Sequence, residues 1–211
     1  MKMSKIAILV LIVALFVVST YFYQILPEKI ASHWGVSGDA NGYSSKAFGL
    51  FFIPVLTLIL TLIFLVIPKI DPLKKNIKKF ENHYFGFIIV FILFMCLVQA
   101  QIILWNLSVK INPNIVFPIG IAALFFYIAL LMRVVKRNWF IGIRTPWTLA
   151  SDRVWDKTHA LGSKLFFISG IFSLAGIFFR EFSWLFIIIP VLISALISII
   201  YSYLIYRKLK L

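Results

Sequence analysis

Two carboxylates and an imidazole, Asp152, Asp156 and His159, are the closest this chain comes to a reactive constellation. Their i, i+4, i+7 spacing lines them along one side of a helix, where a metal ion or an acid–base pair is geometrically possible. The plainer reading is a solvated helix face on which the acids pair with Arg153 and Lys157. We favour it, because no nucleophile, phosphate-binding loop or second ligand cluster accompanies the three. His33 has no second ligand in its own segment, so a metal site there lacks donors. The expectation is a protein that is not an enzyme and needs no metal or cofactor, with a membrane-embedded metal-dependent enzyme as an alternative.

The elements that must position these residues begin with Trp139–Lys164, where charge, tryptophan, proline and histidine concentrate. Thr145 reads as a helix N-cap with Pro146 at the first helical position, and Ser151 offers a second cap a turn later. Either start predicts a short helix ending near Gly162. Trp147, Ser151, Val154, Trp155 and Thr158 fall along one side of it, and Asp152, Asp156 and His159 along another. This is the pattern of an amphipathic helix lying beside a membrane.

Composition sets the class. Hydrophobic residues make up 62% of the 211, charged residues 13%, and the mean hydropathy is +1.01, outside the range of soluble domains. Lys and Arg cluster between apolar runs, so the formal net charge of +14 points to anionic lipid and not to direct nucleic-acid binding. The single cysteine, Cys96, lies within an apolar run and builds no disulfide framework.

Six apolar runs are long enough to cross a hydrocarbon core of about 30 Å: Ile6–Tyr23, Ala47–Ile67, Tyr84–Leu107, Ile115–Met132, Leu161–Phe179 and Trp184–Tyr206. The first exceeds the apolar core of a signal peptide and lacks a small-residue cleavage site, so it reads as a retained span. The predicted fold is all-α, a single polytopic membrane domain over 1–211, with a short cytoplasmic helix between the fourth and fifth spans. Of the 21 Lys and Arg residues, 17 fall in one set of alternate segments and 4 in the other. That asymmetry predicts a plasma-membrane protein with both termini and the 133–164 loop in the cytoplasm, and the 24–46 loop outside.

Within the spans, Ser169, Ser173 and Gly176 form a face where helices can approach closely. Pro54 and Pro190 interrupt apolar runs, with Thr57 and Ser194 near enough to satisfy freed carbonyls. Gln99 and Gln101 read as interhelical hydrogen-bonding groups or as the polar lining of a ligand cavity. No span carries an evident ionisable group at mid-depth, which argues against an ion-coupled transporter. In the outer loop, Pro27 and Glu28 suit the first turn of a short helix that Gly35 stops, and Gly38-Asp39 and Asn41-Gly42 mark turns. Trp34 and Tyr43 suit either anchoring at the headgroup level or a binding surface.

The stretch L-P-E-K-I-A-S-H-W-G-V-S-G-D-A-N-G-Y-S-S-K resembles the N-terminal DUF1648 module. The stretch F-I-G-I-R-T-P-W-T-L-A-S-D-R-V-W-D-K-T-H-A-L-G resembles the signature of SdpI-family membrane proteins. The matching positions include His33, Trp34, Gly38, Gly42, Tyr43 and Lys46 in the first, and Gly142, Arg144, Thr145, Pro146, Trp147, Thr148, Trp155, Thr158, His159 and Gly162 in the second. The resemblance implies immunity against a secreted, membrane-active peptide toxin met by the outer loop. In some members it also implies signalling, through a small transcriptional repressor held at the inner face. The competing class is a small-molecule or lipid transporter. Arg144, directly before the Thr145-Pro146 cap, is placed to hold carbonyls of the Trp139–Ile143 turn or a lipid phosphate in a geometry that lysine does not reproduce.

Overall fold

A computed structural model describes residues 2–209; Lys210, counted above among the basic residues, lies outside them. Helix α1 (Lys2–Tyr23) leads into a hairpin of β1 (Lys29–Trp34) and β2 (Ala40–Ser45), followed by α2 (Lys46–Ile70), the single turn α3 (Lys74–Ile77) and α4 (Glu81–Asn106). Then come α5 (Pro113–Val134), the one-and-a-half-turn α6 (Pro146–Ala150), α7 (Asp152–Ala175) and α8 (Ser183–Lys208), with 3-10 segments at Lys78–Phe80 and Gly176–Phe182. Helices α1, α2 and α4 pack on one another, α5, α7 and α8 do the same, and α4 against α5 joins the two groups.

Among the described residues five helical stretches are long and apolar enough to cross a membrane, the last running from Asp152 to Lys208. A straight helix of those 57 residues would measure about 85 Å, far more than a bilayer. The chain instead folds back within Gly176–Phe182, where Arg180 leaves helical geometry at φ 34 and ψ −97. Antiparallel packing follows: Ser169 and Ser194 hydroxyls meet at 3.1 Å, and Ser173 donates to the Pro118 carbonyl on α5 at 2.9 Å. Small hydroxyl residues let these helices approach and bond where lipid offers no hydrophobic drive to associate.

Prolines inside helices leave the carbonyl four residues back without its usual donor. Thr57 does not perform the repair expected of it, since its hydroxyl bonds Ile53 O at 2.7 Å. The carbonyl freed by Pro54 is that of Leu50, and it accepts from Gln99 Nε2 at 3.0 Å, a group that also reaches Ser19 Oγ at 3.0 Å. Pro68 frees Phe64 O, and Tyr84 OH donates to it at 2.9 Å. Both repairs come from α4. Ser194, expected to serve Pro190, pairs with Ser169 instead.

Two expectations fail locally. The short helix expected from Pro27 to Gly35 is instead strand β1 of the hairpin, so the described residues are helical with one small antiparallel sheet. The chain here is held from outside itself: Asn106 Oδ1 accepts from Ala31 N at 2.9 Å, and Asn106 Nδ2 donates to Ala31 O at 3.0 Å, imitating a neighbouring strand. The second helix of the signature does not end near Gly162 but continues as α7 to Ala175. Gly162 is buried where a Cβ would meet Ile143 Cδ1 at 2.5 Å, so the small residue serves packing and not termination.

Candidate functional site

The bundle has two built ends. At one, the segments 71–80 and 135–151 fold over the mouths of the helices. Asp71, 2% exposed, closes α2 and accepts from Leu73 N at 2.6 Å and from Trp139 N at 2.8 Å. Asn138, fully buried, donates to Lys136 O and Ile141 O while its Oδ1 accepts from Phe140 N and Ile141 N. Such complete pairing is what a buried amide requires. Asn76 adds a bond to Arg137 O at 2.8 Å. None of these three residues stands out by sequence, although Asp71-Pro72 after an apolar run carries a turn signal.

Thr145 and Thr148 form a reciprocal capping box at the start of α6, with Pro146 in the first turn. The Thr145 hydroxyl lies 3.0 Å from that of Ser202 on α8, and Trp147 packs on Tyr203 with ring centroids 5.0 Å apart. Thr148 Oγ1 also donates to Ile143 O at 2.9 Å. Ser151 caps α7, its hydroxyl accepting from Val154 N. Each cap thus fixes one end of a loop between helices.

Trp155 and His159 form the centre. Trp155 is fully buried and donates Nε1–H to Val135 O at 3.0 Å. Its ring stacks on His159 at 4.0 Å and 22°. His159, 1% exposed, lies on the polar start of α7, ahead of the apolar run. Its Nε2 accepts from Ile143 N at 2.9 Å, so the proton sits on Nδ1, which is 2.8 Å from Trp155 O. Burial lowers its pKa to about 4, against smaller opposing effects of the Trp155 carbonyl and Asp156. Gly142 makes the approach possible, with φ +112 and space that a Cβ would close to within 2.4 Å of His159 Nε2. Thr158, also buried, has a hydroxyl with no partner among the described residues.

This geometry corrects the chemical reading of the helix. Asp152 and Asp156 are exposed while His159 turns into the core with both nitrogens occupied, so the three do not share one face. The acids also pair across the loop and not along the helix: Asp152 lies 2.7 Å from Arg137 Nε, and Asp156 lies 3.5 Å from Lys136 Nζ. Arg137 additionally donates to Leu149 O at 2.8 Å. Exposed Arg144 donates to Trp139 O at 2.8 Å through Nη1 alone, a single bond and not a fork.

At the opposite end stands the hairpin. Its strands carry compensating irregularities on either side of the His33–Gly42 pair. His33 Nδ1 lies 2.6 Å from Asn41 Oδ1, and a Cβ on Gly42 would meet His33 Cβ at 2.8 Å. Trp34 packs edge-on against Trp105 at 5.7 Å. Gly38, at φ +88, sits where a side chain would strike Asn112, and Asn114 Nδ2 donates to Val36 O at 2.7 Å. Lys46 bonds Glu28 at 2.8 Å and lies over the Tyr23 ring at 4.7 Å. Trp34, Gly38 and Lys46 therefore hold the hairpin in place, whereas Tyr43 is 58% exposed.

The SdpI/YfhL protein family matches residues 134–202, and the domain of unknown function DUF1648 matches residues 10–58. "Immunity protein SdpI" of Bacillus subtilis (strain 168) is 31% identical over 210 residues, covering 99% of each chain. The chain belongs to the SdpI family. No solved structure matches it. The SdpI match takes in the whole Trp155–His159 centre, its caps and the α7–α8 fold-back, and the DUF1648 match takes in the hairpin with the adjoining parts of α1 and α2. An SdpI-family chain of this composition, with several helices of spanning length, is a multi-pass membrane protein.

Proposed function

We propose that this chain protects a bacterial cell from a secreted, membrane-active peptide toxin, crossing the plasma membrane six times with both termini in the cytoplasm and the hairpin outside. The observation that carries this reading is similarity to "Immunity protein SdpI" along 99% of both chains, so that both ends of the bundle lie within it. The arrangement of each end supports a division of roles. The hairpin is fixed to α4 and α5 through Asn106 and Asn114, yet leaves the Tyr43 ring and Val36 exposed to meet an apolar peptide. At the other end, Trp139 at 51% and Phe140 at 38% exposure stand on the rigid turn around Asn138, a surface suited to a small transcriptional repressor.

Chemistry has no part in the proposal, because the one constellation of acids and imidazole is divided between solvent and core. The direct test is replacement of the gene for the immunity protein in Bacillus subtilis (strain 168) by this one. Survival at the level of the parent is expected. Killing of cells that carry normal amounts of the protein in their membranes would overturn the proposal.

A further inference from the structure

Between the last turns of α5 and the start of α7 lies a cleft of about 910 Å³ whose wall changes character along its length. Towards the 135–151 loop stand Arg133, Lys136 and Lys164, all exposed, with Asp156 as the one lining carboxylate. Lys136 occupies Asp156 at 3.5 Å. Arg133 and Lys164 have no carboxylate within 4.0 Å among the described residues. Further along the helices the lining becomes Phe126, Leu130, Phe167 and Ile168, with the Phe126 and Phe167 rings 5.2 Å apart.

We propose that this cleft holds one anionic glycerophospholipid, its phosphate between Arg133 and Lys164 and its acyl chains along Phe126, Leu130, Phe167 and Ile168. Three observations select this occupant. The cations lie at the bundle's end and the apolar wall lies deeper, the order of groups in a lipid of the adjoining leaflet. Ser163 and His159, which also line the cleft, spend their polar atoms on Ala129 O, Ile143 N and Trp155 O. Recognition therefore falls to charge. A zwitterionic headgroup would bring its own cation against Arg133, Lys136 and Lys164, and a free phosphate would leave the apolar wall uncovered. The volume lies within the range of sites that enclose much of a small ligand. The inference rests on α5 and α7 crossing the membrane and not on the protective role.

The test uses the purified full chain in detergent, with retention of added phosphatidylglycerol or phosphatidylcholine read by native mass spectrometry. At least ten-fold preferential retention of phosphatidylglycerol is expected. It falls towards parity in R133Q/K164Q and stays in K78Q/K79Q, which removes the same charge from exposed positions outside the cleft. I168W, which narrows the apolar part and keeps both cations, lowers retention as well. Equal retention of both lipids by the parent chain, or an equal loss in the two double variants, would overturn the site. Thermal stabilisation by inorganic phosphate equal to that by phosphatidylglycerol would reduce it to an anion site without lipid. Protection assays on the same variants are read separately, so failure of one proposal is distinguishable from failure of the other.

Discussion

Gln99 Nε2 lies 3.0 Å from Leu50 O, the carbonyl that Pro54 leaves without a helical donor. An unmet carbonyl in hydrocarbon costs several kcal/mol, so the side chain of one helix completes the backbone of another. Gln99→Leu should destabilise the protein by about 1–3 kcal/mol. Pro54→Ala in the same chain should recover part of that loss by restoring the N–H, although the Ser19 contact stays broken. Thermal unfolding of the two single variants and the double variant gives the coupling. Strictly additive effects would show that the bond does not repair the proline.

Gly142→Ala should cost more than Gly162→Ala. At Gly142 the φ of +112 penalises any side chain, and the new methyl would meet the His159 ring nitrogen that accepts from Ile143. At Gly162 it would meet only the tip of Ile143, which can turn away. A cost of about 1–3 kcal/mol at Gly142 should appear as faster protease cleavage between Lys136 and Lys164 in inside-out vesicles. Equal cleavage of both variants would contradict this ordering.

Because burial holds the His159 pKa down to about 4, the unfolded chain takes up a proton near pH 6.5 that the folded chain refuses. Stability from the neutral ring is therefore present above pH 6.5 and is lost as the pH falls towards 4, by up to about 3 kcal/mol. His159→Gln, less stable at neutral pH, should lose less than the parent between pH 7 and 4.5. Melting temperatures at those two values test this, and parallel losses in both chains would refute it.

At the hairpin the exposed and the positioning residues should separate. Tyr43→Ala should weaken protection with little change in melting temperature. Trp34→Ala and Asn106→Leu should lower both, the first through lost packing on Trp105 and the second through the two bonds to Ala31. Full protection by Tyr43→Ala would remove the hairpin face from the toxin-binding proposal.

Orientation can be read by labelling. In a Cys96→Ala background, Ser37→Cys should react with an impermeant maleimide in intact cells and Lys75→Cys only after the membrane is opened. The reverse pattern would invert the proposed topology.

Much of this architecture is legible from the chain because hydrophobic run lengths and cap residues are local signals. Thr145 and Ser151 cap where they were predicted to, and Ser169 and Ser173 lie at helix contacts. What escapes is set by distant partners. The hairpin takes its edge from Asn106, 75 residues away, and the short strands Lys29–Trp34 and Ala40–Ser45 lack the alternation that would announce them. His159 has the spacing of a ligand face, but the stacking on Trp155 and the bare backbone of Gly142 draw it inwards. Gly162 reads as a stop because isolated glycine usually weakens a helix, while the packing of Ile143 outweighs that cost.

The repair of Leu50 by Gln99 also has a consequence in time. A ribosome adds about 5–20 residues per second, so the 49 positions between the two separate their synthesis by roughly 2–10 seconds. During that interval the Leu50 carbonyl of the second helix has no donor from the fourth. The first two helices wait as provisional neighbours, open to insertion factors or chaperones, and reach their final seating only when the fourth is delivered.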